Sequence, residues 1–245
     1  MEHTAMKVLV IDVGGTNIKV SLGGPEPPLK IPSGPDLTPE RMARDVAEAT
    51  RGWDYEAVSV GFPGPVEDGH PAREPRNLGP GWVAFDFEKA FSRPVRVIND
   101  AAMQALGSYD GGRMLFLGLG TGLGSALVFE GVLAPLELAH MPYRKGGTYE
   151  DYLGARGLER MGRKKWQRHV EEVVALLKDG LQADYVVLGG GQTKKLKGLP
   201  PDTRLGSNAN AIAGGLRLWN DAKHDRAGQL FVVGLALRGG THRKP

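Results

Sequence analysis

The chain has 245 residues, of which 41% are hydrophobic and 24% charged, and a net charge of +3, an ordinary globular composition with room for one large domain or two small lobes. No apolar run approaches the roughly 20 residues of a membrane span, Met1 to Met6 lack the regions of a secretory signal, and the small positive charge requires no nucleic-acid partner, so neither membrane nor nucleic acid is expected and the cytoplasm is the expected location. With no cysteine, disulfides and thiolate metal sites are excluded.

In chain order, the first apolar runs are Val8 to Val13 and Ile18 to Leu22, joined by Asp12-Val13-Gly14-Gly15-Thr16-Asn17. This reads as a β-hairpin whose turn glycines permit positive φ. A Pro/Gly-rich connector, Gly23 to Pro39, leads to a helix with Met42, Ala43, Val46 and Ala47 on one face. Strands are expected at Ala57–Gly61 and Val95–Ile98, separated by a long Pro/Gly-rich loop from Phe62 to Trp82, of the kind that is usually functional or mobile. A helix follows Asn99-Asp100, then strands at Met114–Gly118 and Ser125–Phe129 flank a second turn, Gly118-Leu119-Gly120-Thr121-Gly122-Leu123-Gly124. A long helix buries Trp166, Val170, Val173, Val174, Leu177 and Leu181, with Lys164, Lys165, Arg168 and Glu172 on its other side. Strand Asp184–Leu188 runs into Gly189-Gly190-Gly191, and a helix from about Ser207 to Trp219 follows, with Ser207 as its cap. Residues 220 to 245 could be an extra strand, a docked tail or a terminus of uncertain order. Strands alternating with helices give an α/β protein.

The two glycine turns are the features with chemical content. Backbone N–H groups in a Gly/Thr turn form a donor cluster open to phosphate oxygens, and two such turns facing each other would grip a polyanionic donor. Asp12 adds a carboxylate that could hold magnesium. Alternative phosphate motifs fail: there is no Gly-Lys dipeptide for a P-loop, and the alternating glycines 118, 120, 122 and 124 lack the dinucleotide spacing and precede a strand. Asn99-Asp100 stands at a strand end, where open α/β sheets place ligands, although either residue could simply cap the helix. Gly61-Phe62-Pro63-Gly64, Asn77, and the pair Glu137 and His140 could join it to meet a sugar's hydroxyls. Glu137 and His140 alone could equally be a surface pair.

The segments from Asp12 to Lys19, Gly61 to Gly64, Asn99 to Ala101, Gly118 to Gly124, Glu137 to His140 and Gly189 to Gly191, in this order, resemble the ROK family of sugar kinases within the actin/hexokinase superfamily. Asn77-Leu78 followed by Trp82, and Lys165-Trp166 at a helix start, resemble its polyphosphate glucokinase branch. The resemblance spans about Val8 to Trp219. It implies two ribonuclease H-like lobes with a cleft between them: residues 1–98, joined by helix 207–219, and residues 99–206, with 220–245 as a tail. It implies phosphoryl transfer to the 6-hydroxyl of a hexose, most simply glucose, with Asp100 as general base. Asn99, Glu137, His140 and Glu150 would bind sugar hydroxyls, with Asn77 beside them and Gly64 offering backbone. Asp12 would orient magnesium, directly or through water. Gly14, Gly15, Thr16, Asn17, Gly120, Thr121 and Gly122 would cradle phosphates, Lys19 would add charge, and Gly189, Gly190 and Gly191 would receive adenosine.

Departures from the family pattern fall on the sugar side. The cysteine-rich zinc site of many members cannot exist here. Ala139 replaces the usual glycine before His140, and a methyl there could narrow the pocket. Asp151 rivals Glu150. Lys194, Lys195 and Lys197, with Arg163, Lys164 and Lys165, could form a basic track for polyphosphate, although a solvated helix face explains the last three equally well. ATP, polyphosphate or both are therefore expected as donors, and a homodimer is expected from the resemblance alone. The competing readings are a sugar-sensing regulator, which would carry a DNA-binding domain where only eleven residues precede Asp12, a non-catalytic binder of sugar or nucleotide, and a kinase for another hexose.

Overall fold

The computed structural model describes residues 6–207, 209–220, 222–224 and 230–232. Strands β1 (Val8–Val13) and β2 (Asn17–Ser21) pair antiparallel through the first turn, with Asp12 opposite Lys19, and β3 (Leu29–Pro32) pairs with β2. Helix α1 (Pro39–Ala49) begins at Thr38, whose side chain accepts from Arg41 N, and Pro39 at the first position needs no hydrogen bond there. Strand β4 (Ala57–Phe62) runs parallel to β1; a small hairpin, β5 (Val66–Glu67) and β6 (His70–Pro71), and helix α2 (Phe87–Phe91) follow; β7 (Val95–Asn99) then lies parallel to β4.

Helix α3 (Asp100–Ser108) leads to β8 (Arg113–Leu119), β9 (Leu123–Phe129) and β10 (Val132–Leu136), a meander through the second glycine turn. Helices α4 (Tyr149–Leu153), α5 (Ala155–Met161) and α6 (Arg163–Gly180) precede β11 (Tyr185–Gly189), which is parallel to β8, and β12 (Thr203–Leu205), parallel to β11. Helix α7 (Asn210–Asn220), β13 (Ala222–His224) and β14 (Leu230–Val232) complete the described chain.

The first sheet has the order β3-β2-β1-β4-β7; the second reads β10-β9-β8-β11-β12, extended past β10 by β14 and β13. Each core is therefore a three-stranded meander followed by two parallel strands, so the recurring turn belongs to a recurring topology. Of the tail, residues 222–224 and 230–232 are strands of the second sheet, and the remaining expectations for 221, 225–229 and 233–245 lie outside the described residues.

Burial on both faces explains why the central strands read as continuous apolar runs rather than alternating ones. On β1, Leu9, Ile11 and Val13 face the core under α1, whereas Val8 and Val10 meet Met103 of α3 and Ala211 and Ile212 of α7. On β8, Leu115, Leu117 and Leu119 pack on Trp166, Val170 and Val173 of α6, whereas Met114 and Phe116 pack on Ala102, Ala105 and Leu106 of α3. Helices α3 and α7 thus fill the space between the sheets. They cross at backbone contact: a Cβ on Gly214 would lie 1.8 Å from Met103 O, and one on Gly107 would lie 1.9 Å from Asn210 O.

Candidate active site

Asp100 is the first residue of α3, directly after β7. Asn99 caps the helix by accepting from Ala102 N at 3.0 Å, and its amide donates to Gly64 O at 3.0 Å, so one residue ties the helix start to the 61–64 turn. Capping and site formation are therefore not alternatives here. Gly61 lets this helix approach β4, since a Cβ there would lie 2.3 Å from the Met103 methyl and 3.6 Å from Asp100 Cα. On the other side Gly124 of β9 faces Ala101, at 2.8 Å from an added Cβ.

Asp100 is only partly exposed, and burial pushes its carboxyl up to about 7, with the negative charge of Asp12 and then of Glu137 adding to the rise and the Ala101 N–H opposing it. Asp12 is buried and pairs with Lys19 across the hairpin at 2.9 Å. The three carboxylates Asp12, Asp100 and Glu137 thus share one electrostatic environment, with Asp100 between the two sheets.

Each glycine turn comprises three residues, 14–16 and 120–122. Gly14 N donates to Asn17 O at 3.1 Å, and Gly120 N to Gly122 O at 3.1 Å. Gly15, Thr16, Asn17 and Thr121 are exposed, with their turns open to a ligand. The expectation of positive φ is corrected: none of these turn glycines occupies the left-handed region, which is instead used by Gly190, at φ +85°. Their requirement is space. A Cβ on Gly14 would lie 2.8 Å from Asn17 O, and one on Gly122 would lie 2.3 Å from Glu150 Oε2. Gly189 pairs with Gly118, and Gly190 lies so close to Leu119 that a Cβ would come within 2.3 Å of its carbonyl oxygen, which seats the third glycine cluster beside the second turn.

Glu150 accepts from Leu123 N at 3.3 Å and lies 3.8 Å from Arg156, which places its carboxylate on the 120–122 turn. Asp151 instead accepts from Thr148 N and Oγ1, both at 2.9 Å, in a capping box, so the two neighbouring acids have separate duties. Asn77 is exposed and faces Gly15, its Cβ 3.6 Å from a Cβ added there. His140 closes a short 3-10 turn, Leu138–His140, and is exposed, with no hydrogen bond or ion pair to these groups among the described residues. Ala139 is buried among the residues that pack on the second sheet.

Sequence reasoning missed three supporting residues. Ser33, just past β3, donates Oγ–H to Gly14 O at 2.6 Å and its N–H to Thr16 O at 3.0 Å, clamping the first turn. Buried Ser125 accepts from Leu138 N and donates to Leu136 O, fixing the strand end that carries Glu137. Glu74 accepts from Gly81 N at 2.9 Å and Trp82 N at 3.1 Å, folding the loop that presents Asn77, while Trp82 packs on Phe62 at 5.5 Å. A lone serine or glutamate in a loop carries no sequence signal for such a duty.

Among the described residues no group of three or more His, Asp or Glu side chains could hold a metal alone. Asp12 nonetheless suits magnesium, which is commonly held by one or two carboxylates with the donor's phosphate oxygens and water completing its shell.

A family model for ROK matches residues 8–135, which includes both turns, Asn99 and Asp100. The chain belongs to the ROK family. Among ROK relatives, the polyphosphate glucokinase of Mycobacterium tuberculosis is 26% identical over 208 residues, covering 76% of this chain and 77% of that one. The inorganic polyphosphate/ATP-glucomannokinase of Arthrobacter sp. strain KM superposes with a TM-score of 0.72 at 27% identity, over 85% of this chain and 96% of that one. A ROK family glucokinase from Streptomyces griseus, solved with glucose and AMPPNP, shares the fold with a TM-score of 0.70 at 18% identity, over 86% and 98% of the respective chains. This ROK chain is a phosphotransferase with an alcohol group as acceptor.

Proposed function

We propose that the protein transfers a phosphoryl group from polyphosphate, ATP or both to the 6-hydroxyl of a hexose, with glucose as the first candidate. The observation that carries this reading is Asp100, held at a helix start between the two glycine turns with a carboxyl raised to about 7. A base of that strength, once ionised, accepts the hydroxyl proton as the oxygen attacks phosphorus. In the transfer the O6–H proton passes to Asp100, the O6–P bond forms, and the bond from phosphorus to the bridging oxygen breaks, leaving ADP or a polyphosphate shorter by one unit.

In this reading Asn99, Glu137, His140 and Glu150 bind sugar hydroxyls, Gly64 offers backbone, and Asn77 borders the sugar and the first turn. Gly14, Gly15, Thr16, Asn17, Gly120, Thr121 and Gly122 cradle phosphates, Lys19 supplies charge, and Gly189 to Gly191 receive adenosine when ATP is the donor. Asp12 would hold magnesium, directly or through water, and the ion would neutralise charge on the donor. In this reading the first sheet with α7 and the second sheet are the two expected lobes, and their closure excludes water from the transfer.

The test is magnesium-dependent formation of glucose 6-phosphate, assayed separately with ATP and long-chain polyphosphate, for the wild type and Asp100→Asn. Turnover that disappears in the variant is expected. A fully active variant would sink the role of Asp100, and no turnover with glucose would redirect the search to other hexoses or a binding protein.

A further inference from the structure

Away from Asp100, a cavity of about 650 Å³ opens between the 144–147 loop and the helices α4, α5 and α6. Arg144, Lys145, Arg160 and Lys165 line it, together with Asp151 and His169. Asp151 is already engaged by Thr148, and Arg144 is paired with Glu172 outside the lining, but Lys145 and Lys165 are exposed and have no ion pair among the described residues. The two arginines are held by aromatic faces, Arg144 over Tyr143 at 5.5 Å and Arg160 over Tyr152 at 5.4 Å. The site is thus a concave surface with a surplus of fixed and free cations.

Its position relative to the second glycine turn gives it a meaning. Ala155, at the start of α5, donates to the carbonyls of Gly120 and Thr121, while Arg160 and Met161, at the end of α5, reach the cavity. At 1.5 Å per residue, this seven-residue helix spans about 10 Å. Arg156, which offsets the Glu150 carboxylate at 3.8 Å, and Arg160, which donates to Asp151 O at 2.7 Å, stand four residues apart and so share one face of α5, which runs from the turn to the cavity. We propose that this cavity holds the outer part of an inorganic polyphosphate chain whose reacting end lies at the 120–122 turn.

The proposal rests on the reading of the protein as a polyphosphate-using kinase. The ligand is a bare phosphate chain rather than a nucleic acid, because the rings here are spent on one another: Tyr143 against Tyr152 at 5.0 Å, and Tyr152 against His169 at 4.8 Å. Few ring faces remain on which a base could stack.

The test compares the wild type with the double variant Lys145→Asn, Lys165→Ala; asparagine suits the left-handed backbone at residue 145, φ +51°. Equilibrium binding and turnover are measured with long-chain polyphosphate, tripolyphosphate and ATP. Long-chain binding should weaken about tenfold, and the slope of log affinity against log salt should fall by about 0.7 per cation removed. Tripolyphosphate, too short to reach the cavity, and ATP should be unaffected. Unchanged long-chain binding, equal loss for tripolyphosphate, or a single-stranded oligonucleotide bound as tightly through the same lysines would overturn the proposal. A wild type inactive with every donor that still binds long chains through these lysines would refute the kinase reading and keep the cavity; normal polyphosphate turnover in the variant would do the reverse.

Discussion

At the scale of single residues, the proposed role of Asp100 sets predictions for both activity and stability. The base must be ionised, so kcat/KM should rise with pH and level off above an apparent pKa of about 7, measurable as an acid limb in a pH–rate profile. Asp100→Asn should lower kcat by about 100-fold to 10,000-fold while leaving glucose binding within a few-fold. Its effect on stability has the opposite sign. The folded state holds this proton more tightly than the unfolded chain, so stability is lost as pH rises from about 4 to about 7 and the penalty is complete above that range. Asparagine cannot ionise, and the variant should melt several degrees higher at pH 8, a gain that thermal melts should show vanishing below about pH 4. The residue types of the site were legible because Asp100, Glu137 and the glycines occur in ordered motifs. What Gly122 does was not: its missing side chain makes room for Glu150, a partner 28 residues away that only the folded chain reveals.

At the scale of elements, long apolar runs predicted β1 and β4 nearly to the residue, and amphipathic faces predicted the presence of α1 and α6, although Ala47, expected on the apolar face of α1, is exposed. Strand β3 lies within the expected connector because Leu29-Lys30-Ile31 is too short an alternation to stand out, ends in proline and has no fully buried residue. Helices α4 and α5, of five and seven residues, are too short to display a 3.6-residue period. The crossing of α3 and α7 was invisible for another reason, since a glycine in a helix ordinarily reads as a weakness. Here Gly107 and Gly214 let two backbones touch. Gly214→Ala must push Met103 O aside at an initial 1.8 Å and should destabilise by about 3 kcal/mol or more in urea unfolding, and kcat should fall in the surviving folded protein because α3 carries Asp100. Ser33→Ala is the milder counterpart. Losing the hydroxyl clamp on Gly14 O should cost about 1 kcal/mol of stability and raise KM for ATP and polyphosphate alike, with little change for glucose.

For the whole molecule, the duplicated turn is matched by a duplicated topology, each sheet holding a three-stranded meander followed by two parallel strands. The placement of helix 207–219 with the first lobe was expected, but the contacts that hold it there carry no sequence signal. Ser59 on β4 donates to Gly215 O at 2.7 Å and accepts from Trp219 at 3.0 Å, while Arg96 on β7 stacks over Trp219 at 4.2 Å, so α7 is fastened to the first sheet by contacts more than 100 residues apart in sequence. Beyond α7 the chain crosses to the second sheet, where β14 pairs with β10 at Val132 and Phe231, and β13 pairs with β14. Open sheets tend to recruit foreign strands wherever a row of backbone donors and acceptors is left bare. With β9 on one side and β14 on the other, β10 is denied that role; a chain cut after residue 220 would expose it, and light scattering should then show assemblies that grow with protein concentration beyond those of the intact chain. The last strands would thus act as a guard against self-templating, keeping the second sheet from polymerising with its own copies.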